Sequence, residues 1–492
     1  MADPATAGRV FPTLDDPVAR RASTMIGGPI GRHAFTGRNW FWTPLRVLLA
    51  LTLLTLAVAW AKQQPCADGA WLPSNKQYTH FCYSDSIPLW GIHGLDRGLV
   101  PYVDARVEYP VLTGGYMYAA ATLAARYDAA AATSGLLPDL DPVTTYYVLT
   151  ELGMALCMLV VTWSTALLSR RRIWDAAMVA LSPVVFVHAF TNWDLLAIAL
   201  AGAGLVAWSR RHPVLCGVLL GLGAATKLYP LFFLGPLLVL CLRTGRLRPW
   251  LLTTLALVVT WSAVNLPVAL TARPNWLLFF ELNTTRPADP DSLWYLAIHL
   301  GATVFDPPPS ADPLVQNAPT LLNLLTLVCF GLVCLGVGWL ALAAERRPRL
   351  MQLVFLVVAG FLLTNKVWSP QYSLWLVPLA VLALPRWKPI LLWQLTEAVL
   401  WVPRLLWYLG TDNNGVKVEY FLLAVTVRDI AVITLMGLVV RDVLRPGHDV
   451  VRRSGLDDPA GGVLDGAPDV HLLVPRRRSH ADEPTPDDVP RE

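Results

Sequence analysis

The residues able to do chemistry lie in a few polar stretches of an otherwise apolar chain. CYSDSIPLW (Cys82 to Trp90) carries Asp85, and GLVPYVDARVEYPVLTGG (Gly98 to Gly115) carries Asp104, Glu108 and Tyr109. Later come FTNWDLL around Asp194, ATKLYP around Lys227, NTTRPADPDSLWY (Asn283 to Tyr295) and TNKVWSPQY (Thr364 to Tyr372). A carboxylate at a membrane interface can take a proton from a hydroxyl, which is the work of a general base. Taken singly, Asp85, Asp104 and Glu108 each read equally well as solvated loop acids. Asp194 follows Asn192 and Trp193, and it also suits the cap of the next helix.

Lys227 says more, because it stands between the apolar GLGAAT and LYPLFFLGPLL. An ammonium there is costly without a partner, so it either snorkels to lipid headgroups or binds an anionic group. Lys366 and Arg286 pose the same question from other loops. Cations converging on one face, with acids opposite, suit a phosphate-bearing lipid. Trp193, Trp294, Trp368 and Tyr372 could line a sugar site, although most of the 20 tryptophans of such a chain belong to interfacial belts. No H-E-x-x-H, C-x-x-C, Walker A or nucleophile-elbow pattern is present. His80, His93, His188 and His299 have no ligand spacing, so neither a metal nor another cofactor is expected.

What positions these stretches is a set of apolar helices. Of 492 residues 55% are apolar and 15% charged, with a mean hydropathy of +0.48, so lipid must be the solvent. A net charge of +4, with arginines in short clusters, argues against nucleic acid. Twelve runs approach the roughly 17 to 25 residues that a hydrocarbon core needs. They are 45–62, 143–169, 175–190, 193–209, 212–226, 228–242, 250–269, 319–343, 350–364, 372–384, 389–409 and 417–440. The expected fold is therefore all-α, a polytopic transmembrane bundle of about 12 spans.

Basic connections alternate with connections nearly free of arginine. Arg170 to Arg172; Arg210 and Arg211; Arg243, Arg246 and Arg248; Arg346, Arg347 and Arg349; and Arg386 with Lys388 would be cytoplasmic by the positive-inside rule, together with both termini. The polar stretches then share the outer face of a cell membrane. Residues 111–127 are apolar enough to span, yet a crossing there would reverse every later loop. We expect that segment, and a second at 291–302, to be interfacial or re-entrant. Residues 1–44 form a cytoplasmic leader, 45–441 the membrane domain with a large outer loop at 63–142, and 442–492 a disordered cytoplasmic tail. Cys66 and Cys82 share that outer loop; outside the cytoplasm they can pair, and otherwise they are two thiols.

With these stretches in order, the chain resembles the GT-C membrane glycosyltransferases that use polyprenyl-phosphate sugars. The branch is that of the actinobacterial phosphatidylinositol-mannoside mannosyltransferases, glycosyltransferase family eighty-seven. The resemblance runs from about Leu45 to Arg441 and rests on Ser84 and Asp85, VEYPVLTG (Val107 to Gly114), NWDLL (Asn192 to Leu196), ATKLYP (Ala225 to Pro230) and NKVWSPQY (Asn365 to Tyr372). It implies a GT-C bundle, an active site at the outer mouth under the first loop, and inverting transfer of a hexose, with mannose expected, from a polyprenyl phosphate to a lipid or glycan acceptor. Asp85 matches the family's first-loop aspartate, the general base. Lys227, Lys366 and Arg286 would hold the phosphate. Asp104, Glu108 and Asp194 would orient hydroxyls, and Gln371 would add a hydrogen bond. Tyr109, Asn192, Tyr229 and Tyr372 complete the substrate-binding set. The acid is followed by SIPLW rather than the Asp-hydrophobic-x-Tyr continuation of better-known mannosyltransferases.

A lipid or glycolipid transporter is the alternative. It should show duplicated halves with matching interrupted helices and polar residues at mid-membrane depth. Here no duplication is evident, and the polar residues lie at one edge.

Overall fold

The computed structural model describes Arg21, Met25, residues 42–302 and residues 319–469. Most of the leader and residues 470–492 of the tail lie outside the described residues. The chain divides into two compact units, Met1–Val47 and Leu48–Glu492, and apart from residues 44–47 at the start of the first helix everything below concerns the second. The described residues are mostly helical, with no strands.

Helix length sorts these elements into two groups. α1 (Pro44–Gln63), α3 (Pro142–Ser169), α7 (Leu247–Thr271), α9 (Thr320–Ala343) and α13 (Val418–Leu444) are long and apolar enough to cross a membrane, α2 being Val111–Ser134. α4 (Asp194–Ser209), α5 (Pro213–Thr226), α6 (Leu234–Arg243), α10 (Leu350–Thr364) and α11 (Ser373–Ala383) are shorter. α8 (Arg273–Thr285) and α12 (Trp387–Leu409) complete the set. At about 1.5 Å per residue the 16 residues of α4 and the 11 of α11 reach only about 24 and 16 Å, less than a hydrocarbon core of about 30 Å. α10 and α11 are buried almost throughout, whereas only 17% of the most apolar stretch of α7 and of α9 is buried. Short helices thus form the centre, and long ones turn leucine and valine outward. α5 meets α7 at close range because Gly217 and Gly221 present no side chain: a Cβ on Gly217 would collide with the Thr253 carbonyl.

Eleven of the twelve expected runs coincide with helices, but only five of those are long spans, and the run 175–190 is not one helix. It breaks into Ala177–Ala180 and Pro183–His188. Pro183 has no N–H to give and forces Ser182 to extended backbone, while the Ser182 hydroxyl accepts from Val185 N at 3.3 Å. The segment 111–127 lies in α2. Near its start Thr113 Oγ1 donates to the Thr226 carbonyl (2.9 Å), and further along Asp128 accepts from Thr145 Oγ1 at the start of α3 (2.7 Å). Both contacts are with the same ends of α5 and α3, the ends away from the arginines. The helix expected at 291–302 is a seven-residue turn, Leu293–His299.

Disorder, expected from residue 442, does not hold for 442–469. That stretch folds back over the basic connections and gives them acids and carbonyls. Arg349 pairs with Asp449 at 2.7 Å, Arg243 with Asp469 at 2.5 Å and Arg386 with Asp442 at 3.0 Å. Arg170, Arg211 and Arg246 donate to the carbonyls of Pro459, Gly462 and Val463. All five arginine clusters therefore meet at one end of the bundle. A Pro-, Gly- and Asp-rich composition reads as disorder by itself, but here buried guanidinium groups supply the missing stabilisation.

Arg349 and Asp449 are 2% and 1% exposed, and the guanidinium also donates to the Leu382 and Ala383 carbonyls that end α11. Asp449→Ala should lower unfolding stability in detergent by about 3–5 kcal/mol, because it leaves a buried charge without its counter-ion. Arg346→Ala, at the half-exposed Arg346–Asp457 pair, should cost at most about 1 kcal/mol. Equal thermal shifts for the two variants would contradict this reading of the tail.

Candidate active site

Asp85 opens the short helix Ser86–Ile92 in the loop after α1, and its position is fixed from several sides. Its backbone N–H donates to the Thr191 carbonyl at 2.8 Å. Its neighbour Ser86 donates to the buried Glu151 of α3 at 3.1 Å and contacts Ser84 Oγ at 2.8 Å. Cys82, three residues earlier, is joined to Cys66 (S–S 2.09 Å), which ties the loop to the end of α1. On the carboxylate itself, Tyr83 O–H donates to Oδ1 at 2.8 Å and Asn192 Nδ2 to Oδ2 at 2.5 Å. The charge of Asp85, then burial, pushes the Tyr83 phenol well up, so that it stays a donor. Two donors leave lone pairs of the carboxylate open to a further proton.

The carboxylate faces a cavity of about 750 Å³ whose wall also carries Glu108, Tyr109, Lys227, Tyr229, Arg286, Gln371 and Tyr372. Tyr109 is held by the VEYP turn: Tyr102 O–H donates to both the Tyr109 and Pro110 carbonyls at 2.9 Å. Gly114 is glycine because a Cβ there would enter the Tyr102 ring. Asn192 also donates to Tyr109 Oη at 2.9 Å, so one amide sets both groups.

Lys227 caps α5 at its junction with the turn Tyr229–Phe233, and its ammonium pairs with Asp194 at 3.6 Å. Asp194 also accepts from Trp375 Nε1 at 2.7 Å. The ammonium lies over the rings of Tyr372 (4.9 Å) and Tyr109 (5.2 Å). Burial works against its charge, but Asp194, Tyr372 and Asp85 together outweigh it and hold its pKa above the ordinary lysine value. Trp375 is sandwiched between Tyr229 (4.5 Å) and Tyr372 (4.3 Å).

Other expected residues stand elsewhere. Lys366 is off the cavity wall: its ammonium donates to the Thr284 and Arg286 carbonyls (3.2 and 2.7 Å) and to Asn323 Oδ1 (2.6 Å), a cation satisfying the carbonyl end of α8. Burial, then Arg286, lowers it to about 8. Asp104 is exposed and accepts from Val100 N at 2.9 Å, closing its own turn rather than lining the cavity. Asn192 and Asp194 stand behind the wall, each holding a residue that forms it. Of the tryptophans named from sequence none lines the cavity: Trp193 meets Tyr109 edge-on, Trp368 lies under Arg428, and Trp294 donates to the Thr364 carbonyl.

Sequence reading missed Tyr83, Asp289, Trp375, Trp401, Arg404 and Tyr408, all on the wall. The signal for Arg404 was available: an arginine inside the apolar run 389–409 is as costly as Lys227 and demands a partner. That partner is Asp291, at 2.8 Å from Nε.

Comparison with known families bears on the second half of this site. Residues 129–370 match glycosyltransferase family 87. The match spans just under half of the chain, from before α3 to the turn Pro370–Tyr372, and includes Asn192, Asp194, Lys227, Tyr229, Arg286 and Lys366. It supports the family, and with it a glycosyltransferase having a sugar donor and an acceptor. Asp85, Tyr109 and Arg404 lie outside the matched residues of the family 87 segment. No curated protein matches the chain.

Asp289 provides a pH test of the cavity's electrostatics. Burial, then Asp291, pushes its carboxyl up to about 6, against the pull of Arg404 and Arg286. The folded state therefore holds this proton more tightly than the unfolded chain, whose aspartate titrates near pH 4. Stability conferred by the protonated form is present below about pH 4 and lost as pH rises to about 6. Asp289→Asn should consequently exceed the wild type by about 1–2 kcal/mol at pH 7.5, with the gap closing at pH 4, in chemical denaturation series. A gap that does not change with pH would refute the assignment.

Proposed function

We propose that the chain is an integral membrane glycosyltransferase that moves a hexose, with mannose the expected sugar, from a polyprenyl-phosphate donor to a lipid or glycan acceptor at the outer face of the membrane. The observation that carries the reading is one cavity in which an oriented carboxylate, Asp85, shares a wall with cations and with a broad apolar surface. Leu231, Phe232, Phe279, Leu282 and Phe361 supply that surface, suited to a prenyl chain. A lipid-borne phosphate and an alcohol are proposed to meet in this cavity.

In the proposed step the acceptor hydroxyl gives its proton to Asp85 as its oxygen bonds to the anomeric carbon. The bond from that carbon to the phosphate oxygen breaks, and the electron pair leaves with the lipid phosphate. Attack opposite the leaving group inverts the configuration. The phosphate needs no proton to depart, so a single base and cavity cations suffice. Asn192 and Tyr83 aim the base; Lys227, Tyr109, Tyr229, Gln371, Tyr372 and Glu108 are proposed to contact sugar or acceptor. Lys366 and Asp194 act at one remove, by shaping the wall.

Membranes containing the protein, incubated with radiolabelled polyprenyl-phosphate mannose, test this directly. Asp85→Ala and Asp85→Asn should each reduce transfer by about 10²–10⁴-fold at unchanged protein level. Transfer that persists in Asp85→Ala removes Asp85 from the role of base.

A further inference from the structure

The cavity has two charged regions, and they are unequal. Around Lys227 one ammonium faces two carboxylates, Asp194 and Asp85. An approaching anion would meet net negative charge there, and the ammonium is already covered by two aromatic rings. In a second region Arg286 and Arg404 lie on the wall with Lys366 behind it, against Asp289 and Asp291.

Arg404 is built to receive something. Its side chain is 12% exposed and its Nε–H is held by Asp291, itself fully buried. Asp291 in turn is fixed by its own N–H to Asp289 Oδ1 (3.1 Å) and by Arg428 donating to its carbonyl (2.5 Å). Tyr408 and Trp401 flank the guanidinium at 4.9 and 5.7 Å. Both terminal amino groups of Arg404 have no hydrogen-bond partner among the described residues, and neither is sealed from the cavity. A guanidinium locked through one nitrogen presents the remaining N–H fork in the geometry that oxyanions accept. Asp85 lies within reach of the same region, since Arg404 acts electrostatically on Tyr83, the donor to Asp85.

We infer that Arg404, held by Asp291 and assisted by Arg286, is the anion subsite of the cavity, and that it takes the phosphate headgroup of a prenyl lipid while Lys227 serves the acid cluster instead. This rests on the lipid-phosphate reading above. The apolar surface of Phe232, Phe279 and Phe361 on the wall of the same cavity favours a lipid phosphate over a free one.

The full-length protein in detergent, with farnesyl phosphate, farnesol and inorganic phosphate as probes and tryptophan fluorescence as the readout, tests it. Wild type should bind farnesyl phosphate at least tenfold tighter than either control. Arg404→Gln should abolish that preference, Arg404→Lys should retain part of it, and Arg346→Gln, at the basic end, should stay within about threefold of wild type. Phenylglyoxal modification of the wild type, mapped by mass spectrometry, needs no variant to fold: farnesyl phosphate should protect Arg404 and farnesol should not. A wild type without preference for farnesyl phosphate over farnesol sinks the lipid-phosphate reading and this subsite with it. Equal binding of inorganic phosphate sinks the lipid source. A preference that survives Arg404→Gln, absent protection of Arg404, or a loss in Arg346→Gln as large as in Arg404→Gln overturns the subsite alone.

Discussion

Charge has nowhere to go inside a hydrocarbon layer except to the ends of helices or to a partner, and this chain uses both solutions on its short central helices. α4 begins at Asp194 and is followed by Arg210; α5 lies between His212 and Lys227; the helical stretch from Tyr229 ends at Arg243; α10 lies between Arg349 and Lys366; α11 lies between Gln371 and Arg386. Each has a site residue or its support at one end and, with the exception of α5 and its His212, an arginine at the other. The arginine ends converge on the folded tail, and the other ends converge on the cavity. Because these helices are too short for a full hydrocarbon thickness, both polar ends are drawn inward and must be satisfied by protein, through ion pairs, carbonyls and aromatic faces.

That constraint explains why the cavity's charges are not interchangeable. Lys227 needs Asp194 simply to exist where it does, and Lys366 needs the carbonyls that end α8. Arg404, engaged by Asp291 through Nε, keeps its terminal amino groups for a ligand. Asp85 obeys the same logic with the sign reversed: two neutral donors orient it, and no cation among the described residues pairs with it at contact distance.

Much of this was legible in the sequence, for identifiable reasons. Apolar run length found the helices, and arginine clustering found the end at which the tail docks. The motifs around Asp85, Asn192 and Lys227 drew attention because polar residues are scarce in such a chain. What sequence could not supply was direction. Lys227, Lys366 and Arg286 look alike as isolated cations between apolar runs, but only side-chain geometry tells the wall residues from the one that closes a helix end. Asp104 failed because a turn acid and a site acid have the same local signature. The tail failed because its composition describes its own lack of a core, whereas its folding depends on guanidinium groups from loops up to about 300 residues away. Arg404 was hidden by the smoothing that makes an apolar run read as a span.

The central claim is that the Asp85 cavity and the arginine clusters face opposite aqueous compartments. Single cysteines at Glu108 and Arg286 on the cavity rim, and at Arg210 and Arg453 at the basic end, labelled with a membrane-impermeant maleimide in intact cells and then in opened membranes, measure it most directly. The account predicts that the first two react in intact cells and the second two only after the membrane is opened; all four reacting from the same side would contradict it.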